Sequence, residues 1–402
     1  MDFVIIANAW QAGQDNPTSK HRIARELVGR GHLVLWLEGA GMRRPRLSSA
    51  ADRTRIWDKL RRARGGVWQP ADAQAPGAGG GLWVLAPLLV PLPRYGVVRR
   101  LNGWMAARAA AAWARRLGFR SPVLINYVPV LAESLRFWRG RTVYHCVDRW
   151  DAFRMYDARV MAAADRRCCR LAEVVIASSH ELLARCRLLN ANSHLITHGV
   201  DHAHFRAAVA VPPPARPADL PRGSVVGFFG LLSEWLDQAL VVALARALPG
   251  AAVVMIGRAD VPVDALRGIA NLHLLGPRPF GVLPAYVAHF DVGIIPFLVN
   301  DLTRAVNPIK LREMLAAGCP VVATDLPEVA RYVTPGGAVE TARTHAEFVE
   351  GVRRRLAAPL TPEARRHLSQ SVAAETWAAK VDRLLAVISA GGSDGGKART
   401  AS

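Results

Sequence analysis

The chain has 402 residues, enough for two to three globular domains at roughly 100 to 200 residues each, and its 51% apolar content excludes disorder over most of its length. Its formal charge of +20 is lopsided: residues 1–222 hold 34 Lys and Arg against 16 Asp and Glu, and residues 223–402 hold 18 against 16. A basic half of this kind predicts a polyanionic neighbour, either nucleic acid or the anionic inner face of a membrane, although a genome rich in arginine codons would raise the same count.

An apolar strand, residues 3–7, opens the chain, followed by a polar loop to Pro17 and a helix from about Ser19 to Arg30 that Gly31 stops. A second strand covers 33–37. The densest basic run, Arg43 to Arg64, holds nine basic residues, with Ile56, Trp57, Leu60 and Ala63 on one face at helical spacing. It reads as a basic amphipathic helix. Beside a bilayer, Trp57 would lie in the interface and Arg53, Arg61 and Arg62 near lipid phosphates; in a packed domain the same stripe would face the core. The apolar run Leu82–Pro93 is too short and too rich in proline to cross a bilayer, which needs about 20 residues. Arg94 to Arg120, with Trp104, Met105 and Trp113 among its arginines, admits the same two readings. Strands at 123–126, 142–147 and 174–178 continue the alternation and make the first half one doubly wound domain.

Segment 211–222, VPPPARPADLPR, has five prolines and little periodicity, as expected of a linker. The alternation then restarts, with strands at 224–229, 252–256, 273–275, 292–295 and 320–323 and a helix at 238–248. The expected class is α/β, with two Rossmann-like doubly wound domains facing across a cleft, where open sheets bind ligands at their strand carboxyl ends. The expected divisions are a basic, membrane-facing domain at 1–205, a linker at 206–222 and a second domain at 223–360. A helix opened by Thr361, Pro362 and Glu363 would run through 361–389, and 390–402 would be a disordered tail.

The most informative run is NPIKLREMLAAG, residues 307–318. Asn307 suits an N-cap, Pro308 the first helical position, with Ile309 after it, and Gly318 the stop. Lys310 then falls in the first turn, where the helix dipole disfavours a cation unless an anion is present, so the segment suits a phosphate or diphosphate. Glu313, one turn on, could accept hydrogen bonds from sugar hydroxyls; a plain Lys310–Glu313 surface pair is the competing reading.

These residues carry a resemblance. NPIKLREMLAAGCPVVATDLPEV resembles the donor-site segment of GT-B glycosyltransferases of the family 4 type. THGVDHAHF (197–205), VVGFFGLLSEWLDQALV and VVMIGRAD are similar to other segments of that family, and residues 16–38 to the opening of bacterial members that build exopolysaccharide or teichuronic-type polymers. The resemblance implies a nucleoside-diphosphate-sugar donor, UDP- or GDP-linked, held by the second domain, with Glu313 as the second glutamate of the E-x7-E motif on the nucleotide ribose. Ala305 stands at the first glutamate position, and the basic residue expected after the turn at Gly230 is missing. Lys310 and the amides around 308–310 would then be the main diphosphate contacts, helped by Arg258. These departures resemble the branch that includes the xanthan glucuronosyltransferase.

An inverting reaction needs a base near the attacking hydroxyl. Asp148 follows the strand at 142–147 directly and is the first candidate, and YHCVDRWDAF looks like the aspartate-bearing segment of that branch; a helix cap is the competing role. Asp151 and His21 are the further candidates, and a retaining reaction would need none. No HExxH, DxD or CxxC pattern occurs, so no metal and no cofactor are expected, and Cys146, Cys168, Cys169, Cys186 and Cys319 read as reduced, cytoplasmic thiols. The sequence thus reads as a cytoplasmic glycosyltransferase, peripheral on the inner face of the membrane, with a lipid-linked or glycan acceptor. A nucleotide-sugar epimerase of the same fold and a basic nucleic-acid-binding protein are the alternatives; no nucleic acid partner is expected, as no RNP, KH or zinc-finger signature is present.

Overall fold

The computed structural model describes residues 1–10, 17–39, 42, 61, 65–70 and 80–390. Residues Arg53, Trp57 and Arg62, and the tail beyond 390, lie outside them. The chain forms two compact units, one from residues 1–197 together with the chain from Lys380 on, the other from 198–379.

In the first unit the strands are β1 (Phe3–Ala7), β2 (Leu33–Glu38), β3 (Val67–Trp68), β4 (Gly81–Leu85), β5 (Val123–Asn126), β6 (Thr142–Cys146), β7 (Val174–Ala177) and β8 (Ser193–Leu195). Among the described residues they lie in the order β3-β4-β2-β1-β5-β6-β7-β8, parallel except for β3 against β4. β1 and β7 are buried along their whole length, as expected where helices cover both faces of a parallel sheet. Helices Ser19–Gly29, Gly96–Arg116, Glu133–Phe137, Ala158–Leu171 and His180–Arg187 supply that cover.

The second unit holds β9 (Val225–Phe229), β10 (Ala252–Ile256), β11 (Leu272–Gly276), β12 (Val292–Ile295), β13 (Val321–Thr324) and β14 (Val339–Ala342), all parallel in the order β11-β10-β9-β12-β13-β14. The order reverses between β9 and β12, which makes their carboxyl ends the topological switch point where such sheets take ligands. The loops that leave these strands are stitched together there. Asp237 N–H donates to the Pro296 carbonyl at 2.9 Å and Leu298 N–H to the Trp235 carbonyl at 2.8 Å.

Three expected divisions are corrected. The second unit starts at His198, not after 205, because Phe205 belongs to its core. The proline-rich segment is not a free linker: Ala208 and Leu220 are buried in that core, the Pro214 carbonyl accepts from His289 Nε2 at 3.0 Å, and Tyr286 Oη donates to Asp219 at 2.7 Å. The late helix is two helices, Pro362–Gln370 and Trp377–Ala390. From Lys380 the second of these belongs to the first unit, where Lys380 Nζ donates to Thr197 Oγ1 at 2.9 Å and Arg30 pairs with Asp382.

Candidate functional site

At the switch point of the second unit, β9 ends in Phe229 and the chain turns at Gly230, whose φ of +152° favours glycine. Neighbouring Gly257, which follows β10, approaches so closely that a Cβ there would stand 1.7 Å from the Gly230 carbonyl oxygen. Two bare backbones thus cross where a side chain would fill the space.

Lys310 reaches over this turn. Its ammonium lies 4.7 Å from the centre of the Phe229 ring and 2.6 Å from Glu313 Oε2. The Glu313 side chain is 8% exposed and that of Lys310 26%, so the glutamate is enclosed and the lysine is partly open to solvent. Pairing at this burial is more than a solvated surface contact. The helix under both residues spans Ile309–Ala316 and ends in a Schellman turn, Gly318 N–H bonding to Leu315 O and Cys319 N–H to Met314 O, with Gly318 at φ +65°.

The helix start differs from the expectation. Pro308, buried and in extended conformation, takes the N-cap position, Ile309 follows as the half-buried first helical residue, and Asn307 caps nothing. The Asn307 side chain is instead a buried junction. Its Oδ1 accepts from His198 N–H at 3.2 Å and Arg312 Nη1 at 2.8 Å, and its Nδ2 donates to Glu328 at 2.8 Å. Arg312, 2% exposed, also donates to Glu375 at 2.6 Å and lies 5.2 Å over the Tyr332 ring, while Tyr332 Oη donates to Glu375 at 2.7 Å. This network holds the helix start rigidly beneath Lys310. Sequence reasoning missed it, since its members are spread from 198 to 375. Ala305, at the missing glutamate position, is fully buried. Arg258 is exposed at the carboxyl end of β10, its carbonyl accepting from Leu232 N–H at 2.9 Å.

In the first unit Asp148 follows β6 at the strand carboxyl end and is partly buried. Burial pushes its carboxyl up to about 6, and the Lys20 ammonium opposes the rise. Lys20 is itself buried, 5.4 Å from the Trp150 ring and 5.8 Å from the Tyr127 ring, and burial lowers its pKa while Asp148 raises it. His145 Nδ1 pairs with Tyr127 Oη at 2.9 Å, and burial drives its pKa down to about 3, so it is neutral. Asp148 is thus coupled to the buried Lys20, which local sequence pattern does not mark.

The other two candidate bases fare differently. Asp151 is ion-paired with Arg149 at 3.0 Å and with Arg185 at 3.7 Å, which satisfies it structurally. His21 is 1% exposed, bonded through Nδ1 to Thr18 Oγ1 at 2.8 Å and through Nε2 to the Trp10 carbonyl at 3.1 Å, and stacked on Trp36. With both nitrogens engaged it is removed as a base. Arg61 is exposed. The five cysteines are buried, and among the described residues no cluster of three or more His, Cys, Asp or Glu could hold a metal ion.

Residues 223–358, the sheet that carries Gly230, Lys310 and Glu313, match the family model described as glycosyl transferases group 1. The matched residues make up about a third of the chain. Over 221 residues the chain is 28% identical to TuaH of Bacillus subtilis (strain 168), a protein named for glycosyl transfer in teichuronic acid biosynthesis; the alignment covers 51% of this chain and 55% of that protein. The match thus spans about half the length of the curated relative. Among solved structures, sucrose-phosphate synthase from Thermosynechococcus elongatus superposes with a TM-score of 0.69 at 14% identity, covering 97% of this chain and 98% of that one. Anabaena Alr3699/HepE, in complex with UDP-glucose, gives 0.61 at 15% identity, covering 97% and 100%. These likenesses establish the fold that the sequence led us to expect, that of GT-B glycosyltransferases. The first strand of the matched region, β9, leads straight into the Gly230 turn.

Proposed function

We propose that the protein is a glycosyltransferase that moves a sugar from a nucleoside diphosphate to a lipid-linked or glycan acceptor in cell-surface polysaccharide synthesis, working in the cytoplasm on the inner face of the membrane. The observation that carries the reading is the Lys310–Glu313 pair over the Gly230 turn at the switch point of the region that matches the group 1 model. An incoming diphosphate meets the partly open Lys310 side chain and the first-turn amides of the Ile309–Ala316 helix. Glu313, enclosed and already accepting from Lys310, has a second carboxylate oxygen for a ribose hydroxyl. The UDP-glucose complex of the Anabaena protein and the teichuronic acid role in the name of the Bacillus relative support the donor and polymer classes.

In an inverting transfer the acceptor hydroxyl gives its proton to the Asp148 carboxylate as its oxygen attacks the anomeric carbon. The bond to the diphosphate oxygen breaks, and the charge on the leaving diphosphate is met by Lys310. A carboxylate raised to about 6 is ionised at neutral pH yet basic enough to take that proton. Among the described residues no helix is long and apolar enough to cross a membrane.

The test is a thermal-shift titration with UDP, GDP and ADP on wild type and Lys310→Ala, with a single-stranded oligonucleotide as control. One diphosphate is expected to raise the melting temperature, and the variant to bind it about tenfold or more weakly, since a charge-assisted hydrogen bond contributes roughly 1.5–3 kcal/mol. Equal shifts in both proteins overturn the donor site. Release of nucleoside diphosphate only when acceptor is present separates transfer from epimerisation.

A further inference from the structure

Helix Gly96–Arg116 is built inside out. Its buried positions are small or polar, including Asn102, Gly103, Ala106 and Ala110. A Cβ on Gly103 would come within 2.5 Å of the Glu133 side chain, so close packing against helix Glu133–Phe137 fixes which face turns inward. The large residues point outward instead: Val97 is 82%, Leu101 44% and Trp104 43% exposed. With Arg108 and Arg115, also exposed, they form one stripe along the helix at spacings of four, three, four and seven residues. A surface helix stabilised only by its domain would place these residues the other way round.

Beside the stripe, a groove of about 1000 Å³ opens between this helix and residues 136–140, lined by Arg108, Arg115, Arg136 and Arg139 together with Trp104 and the buried Trp138. Among the described residues that line it, none is acidic. Arg108 stacks on Trp104 with its guanidinium carbon 5.3 Å from the ring. The helix follows the carboxyl end of β4 and finishes shortly before β5 begins, so its 21 residues, about 31 Å at 1.5 Å per residue, run the height of the sheet. The apolar part of the stripe therefore starts on the side of the sheet that carries Asp148, and the arginine groove lies at the opposite end.

We propose that this stripe and groove are the face by which the protein docks on an anionic phospholipid bilayer. The four arginines meet lipid phosphates, and Trp104, Leu101 and Val97 enter the interfacial layer, the arrangement of an interfacial helix with a basic rim. Four clustered arginines, with no acidic residue among the described residues that line their groove, select a negatively charged surface, and exposed tryptophan and aliphatic side chains select one with an apolar layer beneath its charge. The proposal rests on the peripheral-membrane part of the functional reading and is independent of the donor chemistry. Lying along the helix, the bilayer leaves the carboxyl-end rim within reach of a lipid-borne acceptor.

Sedimentation with phosphatidylcholine vesicles, with and without phosphatidylglycerol, tests it on the full chain. The variant carrying Arg108→Gln, Arg115→Gln, Arg136→Gln and Arg139→Gln is expected to lose more than about tenfold in affinity for the anionic vesicles, at about fivefold per arginine near a charged surface. The matching set of Arg→Lys changes should retain binding, and Trp104→Ser should weaken it. An unchanged thermal shift with nucleoside diphosphate shows that each variant is folded and separates this result from the donor-site test. Undiminished vesicle binding by the glutamine variant overturns the proposal. So does equal binding to vesicles without phosphatidylglycerol, a glutamine variant that loses oligonucleotide binding but keeps vesicle binding, or wild-type protein that stays in the supernatant.

Discussion

Asp148→Asn should make the protein more resistant to heat at neutral pH, relative to wild type, than it is in acid. On folding, the Asp148 carboxyl rises from 3.8 to about 6 because burial disfavours its charge, a rise that the Lys20 ammonium only partly opposes. A carboxyl that holds its proton more tightly when folded contributes no penalty below the unfolded value, and stability is lost as pH climbs from there through the folded value. The window is therefore about pH 4 to 6. At roughly 1.36 kcal/mol per pH unit the rise corresponds to about 3 kcal/mol lost in the wild type by pH 7, which asparagine does not lose. At about 2–4 °C per kcal/mol for a unit of this size, the difference between variant and wild-type melting temperatures should grow by about 6–12 °C between pH 4 and pH 7. Differential scanning calorimetry in a pH series measures this directly. The same variant should lose transfer activity and keep its nucleotide shift. Parallel melting curves for the two proteins across that window would refute the burial argument, and full transfer activity would remove Asp148 as the base.

Lys20→Met removes the cation that holds the Asp148 carboxyl down, so the acid limb of the pH–rate profile should move above about 6 while nucleotide affinity stays the same; an unmoved limb would mean that the two groups do not interact. Arg312→Met removes the cation that joins Glu375 to Asn307, leaving them Tyr332 and His198 as partners, and should cost about 1–3 kcal/mol in urea unfolding, with weaker nucleotide binding as the helix start loosens; a loss below about 1 kcal/mol would show that the junction does not hold the helix.

Much of the architecture was legible because parallel strands buried on both faces write themselves as unbroken apolar runs. FVIIA and VVGFF, fully buried in the structure, are of this kind. The two-residue β3, antiparallel at a sheet edge, is too short to leave such a trace. The proline-rich segment misled for the opposite reason: its composition is that of a linker, but its anchors, Tyr286 on Asp219 and His289 on Pro214, lie 67 and 75 residues away. Lys310 and Glu313 were legible because one helical turn brings them together. Asn307 was misread for the same preference for local pattern, because its partners His198 and Glu328 are 109 and 21 residues distant and Pro308 occupies the cap. The surroundings of Asp148 were likewise beyond reach, since Lys20, which acts on it, comes from the first helix, far away in sequence.

The second unit interrupts the first in sequence, entering at His198 and leaving at Ala379. Its two ends lie side by side, with Val200 bridged to Thr376 and Val200 N–H donating to the Glu375 carbonyl at 2.9 Å. A domain whose entry and exit are hydrogen-bonded to each other is a cassette. It can be lifted from one chain and set into another through a single gap about as wide as a pair of neighbouring strands. Truncation at the proline-rich segment, by contrast, would divide the second unit and deprive the first of the buried Val381, Leu384 and Ile388. Exchange of the second unit between relatives of this architecture calls for two junctions, at 197/198 and 379/380, made together.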